Sequence, residues 1–252
     1  MSFKTTRIVA LFVLALGLLA PIKGFAADGA PAFTDAQKAE IQGMIKDYVD
    51  QNPDLIIKAL QTYQVKQQAD LEKAAEGKVV ENKEALTGRD QPSTGNPNGD
   101  VTITEFFDYN CGYCKKALPD IETTLANDKN VRFVFKEFPV LGPTSVTAAQ
   151  WSLAAAKQGK YFEFHKTLMH NNEPRSEETL RKVAKEVGMD VDKAKEYAQS
   201  DEAKKIIEEN RNLASELQIQ GTPGFVINGK LFRGYIGPEG MKEAITDARK
   251  KK

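Results

Sequence analysis

The run Phe106-Phe107-Asp108-Tyr109-Asn110-Cys111-Gly112-Tyr113-Cys114-Lys115-Lys116 holds the two cysteines of a 252-residue chain. They stand two residues apart, after a strand-like run and before a helix-like one. A thiol at a helix start meets free backbone N–H groups and the positive end of the helix dipole, both of which favour its anion. Lys115, four residues after Cys111, can share its helical face and add a cation. Cys114 lies about one turn along, within reach of a mixed disulfide formed at Cys111. The pattern points to thiol–disulfide exchange. Two other readings use the same residues. A zinc site would take Cys111, Cys114, His165 and His170, but 50 residues separate the two pairs, where a finger has about 12–15. On one helix, His165 and His170 would point about 140° apart. A purely structural disulfide across Cys111 and Cys114 would close a loop too small to stabilise much.

Working outward, Val101 to Phe107 reads as a strand with Val101, Ile103, Glu105 and Phe107 on one face. Glu105 is thus a carboxylate among apolar neighbours, six residues before Cys111. It is either a solvated edge-strand acid or a buried acid beneath the thiols, its pKa raised by desolvation, that moves the Cys114 proton. A helix from Cys111 through Asn127 leads to a second strand at 131–138. Strand, helix, strand implies a right-handed parallel crossover and an α/β core. Residues 144–217 read as a helical block inserted into that core, with Trp151, Leu153, Phe164, Leu168, Leu180, Val183, Ile207 and Leu213 at helical spacings. His165 falls on an apolar face there and reads as a core histidine. Asn228-Gly229 between two strand-like runs marks a hairpin. Thr222-Pro223 stands immediately before it, where a proline must enter the strand at its first residue or an edge. Pro238 opens a last helix with Met241, Ile245 and Ala248 on one face.

The N-terminus reads as an export signal over residues 1–26. Lys4 and Arg7 precede an apolar run from Ile8 to Ala20, and Gly24-Phe25-Ala26 offers small residues for cleavage near Ala26. The run is shorter than the roughly 20 residues a membrane span needs. Export places the thiols where disulfides form and persist. Without Lys4, Arg7 and Lys23 the chain carries 32 basic and 35 acidic residues, which gives no case for a nucleic-acid partner. Residues 27–86 read as a helical segment. Thr34 opens a capping box, Ile41, Met44, Ile45, Tyr48 and Val49 form one stripe, and Asn52-Pro53 resets the chain with Asn52 as cap of a second helix. From Gln61 to Ala85 that helix is too polar to bury much against its own domain. The segment is either a surface extension or an arm through which the chain forms a homo-oligomer. Residues 87–100 contain nine Gly, Pro, Asn or Asp among fourteen and read as a linker. The catalytic domain is expected over 101–252.

A C-x-x-C after the first strand of the domain, a helical insert, then Thr-Pro before a hairpin and a terminal helix resembles the thioredoxin fold. With the export signal, the chain is similar to the DsbA-like superfamily of bacterial periplasmic thiol–disulfide oxidoreductases, in particular to its ScsC-like branch. The phrases that carry this are Ile45–Pro53, Gly95-Asn96-Pro97, Glu105–Cys111, Phe138-Pro139-Val140-Leu141-Gly142 and Gly221-Thr222-Pro223. The fold implied is an α/β thioredoxin-like domain with an inserted helical domain, preceded by an N-terminal helical extension. The resemblance implies that Cys111 is the exposed attacking thiolate and Cys114 the buried resolving thiol, supported by Glu105, Gly112, Tyr113 and a cis Thr222-Pro223 loop. It implies a Cys111–Cys114 redox disulfide with no other cofactor and no metal, and unfolded or misoxidised exported proteins as substrates. It also implies a membrane redox partner of the DsbD or DsbB type. Gly112-Tyr113 and Thr222 resemble the isomerase DsbC, which leans the expectation towards isomerase or reductase. A DsbA-type oxidase, or a copper-binding or surface-exposed thiol protein, are the alternatives.

Overall fold

The computed structural model describes residues 33–250, which fall into two compact units, one up to Leu60 and one from Gln61 onward. The export-signal reading of residues 1–26 lies outside the described residues. In the first unit, α1 (Asp35–Gln51) starts with the capping box expected at Thr34, whose hydroxyl accepts from Gln37 N while Gln37 Oε1 accepts from Thr34 N. Asn52 does not cap α2 (Asp54–Glu81) with its side chain. Its amide donates to the Tyr48 carbonyl and closes the end of α1, because the last turn of a helix offers unpaired carbonyls to a nearby donor. No residue of α1 is buried, and Met44, Ile45, Tyr48, Ile56, Ile57 and Leu60 stand exposed.

The second unit is built on a five-stranded sheet in the order β1 (Ser93–Gly95), β3 (Val131–Glu137), β2 (Val101–Phe107), β4 (Gly224–Ile227), β5 (Lys230–Arg233). β2 and β3 are parallel, joined by α4 (Gly112–Asn127), as the strand–helix–strand pattern requires. β4 runs antiparallel to β2, and the β4–β5 hairpin turns at Asn228 (φ 45°) and Gly229 (φ 95°), the left-handed pair an Asn-Gly turn supplies. Between β3 and β4 lie five helices: α5 (Pro143–Lys157), α6 (Tyr161–His170), α7 (Glu177–Glu186), α8 (Val191–Ala198) and α9 (Asp201–Glu216). The chain ends in α10 (Gly237–Lys250). This is the thioredoxin-like arrangement with a helical insertion that the resemblance implies.

Both faces of β2 and β3 are covered, so their side chains are buried whatever their parity. On one face Val101, Ile103, Phe107, Phe133, Phe135, Phe225 and Ile227 pack with α4, α6 and α10. On the other, Phe106, Val226, Phe138, Leu213 and Leu217 meet Val79 of α2 and Leu86 of α3 (Lys83–Thr87). Ala75 and Val79 are therefore buried on the polar part of α2, where the sequence alone led us to expect little burial. Two small residues four apart make a stripe too narrow to stand out against a polar helix. Ser93–Gly95, inside the stretch read as linker, pairs antiparallel with β3. That edge strand pairs through its backbone, with one added bond from Arg132 to Ser93 Oγ at 3.3 Å, and Gly- and Pro-rich composition does not forbid such pairing at an edge.

Candidate active site

Cys111 is the N-cap of α4, and its Sγ accepts from the Cys114 backbone N–H at 3.3 Å. The same sulfur lies 3.3 Å from the Thr222 carbonyl. Thr222–Pro223 is a cis peptide bond, so the loop before β4 faces the start of α4, as the resemblance implies. Hydrogen bonds from the Cys114 thiol, from the Thr222 side-chain hydroxyl and from the backbone N–H groups of Cys114 and Tyr113 outweigh burial. They bring the Cys111 thiol down to about 6. Cys114 is pushed far the other way, chiefly by burial, then by its hydrogen bond to Cys111 and by the charge of Glu105. Both are free thiols, and Cys111 is 6% exposed against 1% for Cys114. Cys111, expected to be exposed, is thus itself buried in this fold, and it is the less enclosed of the two sulfurs.

Lys115 contributes differently from the sequence expectation. Its Nζ reaches the Asn171 carbonyl at 3.5 Å, and burial and Arg175 lower its pKa. The Cys111 anion is favoured by hydrogen-bond donors at the helix start rather than by this cation.

Glu105 is 1% exposed and its Oε1 has no hydrogen-bond partner among the described residues. Burial, then the charge of Cys111, raises its pKa to about 8. The buried reading of Glu105 therefore holds over the edge-strand one: β2 has neighbours on both sides. Gly112 has open space where a side chain would project. Tyr113 is 62% exposed and stacks on Tyr235, with ring centroids 6.2 Å apart. Tyr235 donates to Asp120 at 2.7 Å and lies under Lys116 Nζ. Val140 and Leu141 are exposed on the loop after β3. His165 is buried against Phe107, Phe135, Tyr161 and Phe162, and burial lowers its pKa to about 3. His170 instead contacts Glu122 at the surface.

Three groups escaped the sequence reading. Asp108, buried, accepts from the N–H groups of Asn110, Val140 and Leu141 and from the Ser145 hydroxyl at 2.7–2.9 Å, tying the cysteine loop to the loop after β3. The Asp-x-Asn spacing signals the first of these bonds; the others join segments 30 or more residues apart. Glu137 is a third buried acid, and Tyr161 donates to its Oε1 at 2.7 Å. Tyr235 carried no local signal.

The sequence profile of the DSBA-like thioredoxin domain matches residues 102–246. This chain belongs to the DSBA-like thioredoxin domain family. Residues 37–70 match the "Copper resistance protein ScsC N-terminal domain". Within the fold, the crystal structure of a thioredoxin-like oxidoreductase from Silicibacter pomeroyi DSS-3 is similar at 38% identity and TM-score 0.65, covering 67% of this chain and 98% of that one. ScsC of Proteus mirabilis, in a transitional conformation, is similar at 25% identity and TM-score 0.64, covering 88% and 99%. A Na(+)/H(+) antiporter, NhaA 3 of Salinispora tropica, is 30% identical over 151 residues, 59% of this chain. The chain spans only 23% of that curated relative's length. The DSBA-like match encloses both cysteines, Glu105 and the Thr222–Pro223 loop.

Proposed function

We propose that this chain is a thiol–disulfide oxidoreductase acting on disulfides of exported proteins in the periplasm, leaning to isomerase or reductase. The observation that carries the reading is Cys111, held near pKa 6 at the start of α4 and facing a cis-proline loop, with Cys114 buried and protonated behind it. The Cys111 thiolate attacks one sulfur of a substrate disulfide, forms a mixed disulfide and releases the other sulfur as a thiolate. A second substrate thiolate can then attack the mixed disulfide and return Cys111, which isomerises the substrate without net redox change. Alternatively, Cys114 loses its proton to Glu105 and attacks Cys111 Sγ. The substrate leaves with two thiols and the enzyme with a Cys111–Cys114 disulfide, a two-electron reduction of the substrate. The dithiol is the only redox group this scheme uses, and a membrane partner of the DsbD type would reduce it again; a DsbB-type partner would suit an oxidase. The Gly112-Tyr113 dipeptide, Thr222 and the match of residues 37–70 to the ScsC N-terminal domain support the isomerase lean.

The reading includes self-association through residues 27–86, whose apolar side chains at Met44, Ile45, Tyr48, Ile56, Ile57 and Leu60 find no cover within their own unit. No helix among the described residues is long and apolar enough to cross a membrane. The test supplies a scrambled-disulfide protein and, separately, the same protein fully reduced. Reactivation of the first, lost in Cys111→Ser, is the expected result. Oxidation of the second without reactivation of the first makes the chain an oxidase. Silence in both assays refutes the reading and favours Cu(I) binding by the two thiols.

A further inference from the structure

The buried acid Glu137 has no part in the exchange chemistry as written, yet it sits on the same face of the sheet as Glu105. In the parallel β2–β3 register Glu105 lies opposite Phe135 and Phe107 opposite Glu137, so the two acids occupy one diagonal of a four-residue patch. The phenyl rings of Phe107 and Phe135 occupy the other, edge to face at 6.1 Å. Diagonal neighbours of this kind have Cβ atoms about 7–8 Å apart. Both acids are 1% exposed, and Glu105 Oε1 and Glu137 Oε2 are orphaned, with no hydrogen-bond partner among the described residues.

We propose that Glu137 is a positioning residue whose charge sets the pH at which Glu105 can accept the Cys114 proton. The inference rests on the proposed exchange chemistry and adds a control element to it.

The groups that face the pair leave its charge uncompensated. From β2 and the loop after it come Glu105, Asp108 and Tyr109; from α4, Cys111 and Cys114. From α5 comes Ser152, which accepts from Tyr109 Oη at 2.6 Å; from α6, Tyr161 and His165, whose Nδ1 lies 3.3 Å from Tyr109 Oη. Asn210 of α9 donates to the Glu137 backbone carbonyl. Burial keeps His165 neutral near pH 7. Arg175, a cation that acts on Tyr109, directs its two terminal nitrogens to the carbonyls of Glu173 and Asn171. Burial raises Glu137, like Glu105, to about 8, with opposing hydrogen bonds from Tyr161 and Ser152 and further rises from Asp108 and Glu105. The two acids therefore titrate over the same range and oppose each other's ionisation. A unit charge about 8 Å away, at an effective dielectric of about 20, moves a neighbour's pKa by about 1.5. Glu105 then ionises in two stages that belong to the pair.

The test follows the rate of Cys114 attack on a preformed Cys111 mixed disulfide by stopped flow from acid to alkaline pH. Infrared difference spectra of the buried carboxyl bands, collected in parallel, report the acids without reference to turnover. Wild type is expected to show two stages. Glu137→Gln keeps an acceptor for Tyr161 and is expected to give one stage, its midpoint lower by just under one pH unit. Tyr161→Phe keeps both carboxyls but takes a donor from Glu137, so Glu137 ionises later; the rate is expected to show the same early stage, while the infrared bands titrate in two separated steps. Rate and infrared profiles unchanged in both variants overturn the inference. If wild type forms no mixed disulfide at all, the exchange chemistry fails, while the infrared titration still decides whether the acids are coupled.

Discussion

The ionisation of Cys111 is the property from which the proposed chemistry starts, and it makes a quantitative prediction. With a pKa of about 6, Cys111 is roughly nine-tenths thiolate at pH 7, where an ordinary thiol near 8.5 is only a few per cent ionised. Its alkylation by iodoacetamide should therefore climb roughly tenfold between pH 5 and pH 7 and then level off. A single adduct is expected, because Cys114 is buried and held protonated. The structure also ranks the contributions. The Cys114 thiol is the largest, so Cys114→Ala should move the midpoint up markedly, and Thr222→Val should move it up less. The same depression stabilises the reduced fold. That stability is fully present above the unfolded thiol's pKa and is lost as pH falls through about 6. The measurement is the rate of adduct formation by mass spectrometry against pH, with ultraviolet thiolate absorbance as a second probe. A midpoint near 8.5, unmoved in Cys114→Ala, would refute the reasoning.

Other consequences are more local. Glu105 has its folded pKa raised to about 8 by burial and by Cys111, so the fold is favoured while it is protonated. That contribution is complete below the unfolded carboxyl pKa and lost as pH rises through about 8, an effect on the order of 4–5 kcal/mol. In urea melts, Glu105→Gln should gain on wild type between pH 5 and pH 8; an equal difference at both pH values would contradict the burial argument. Asp108→Ala strands three backbone N–H groups, two of them on the Val140–Leu141 loop. It should cost about 3 kcal/mol in chemical denaturation, and a loss below about 0.5 kcal/mol would show the loops are held otherwise. Deleting residues 27–60, which leaves the buried Val79 and Leu86 in place, should reduce the sedimenting mass to that of one chain, and an unchanged number of chains per particle would remove the self-association proposal.

Much of the site was legible because it lies in one continuous stretch. The period of two along 101–107 placed Glu105 with Val101, Ile103 and Phe107, and the Cys-x-x-Cys spacing placed one thiol at a helix start with the other a turn inside. The same parity argument, applied to 131–137, would have put Glu137 with Val131, Phe133 and Phe135, and thus beside Glu105. What hid it was the position at the strand's end, where a solvated acid is ordinary. Asp108 was legible only in its bond to Asn110; its partners at Val140, Leu141 and Ser145 come from a segment the sequence gives no reason to align with it. Lys115 illustrates the opposite error. Helical spacing fixes which face a residue shares, but the direction of a long flexible side chain follows the nearest acceptor, here the Asn171 carbonyl. The β1 strand was unreadable because its pairing needs no side-chain pattern.

The division of labour between the two thiols is the central claim, and trapping tests it most directly. Cys114→Ser, incubated with a disulfide-bearing exported protein, should accumulate mixed disulfides joined at Cys111 and released by reductant. Cys111→Ser should form none and turn nothing over. Wild-type turnover in Cys111→Ser, or adducts in neither variant, would contradict the account.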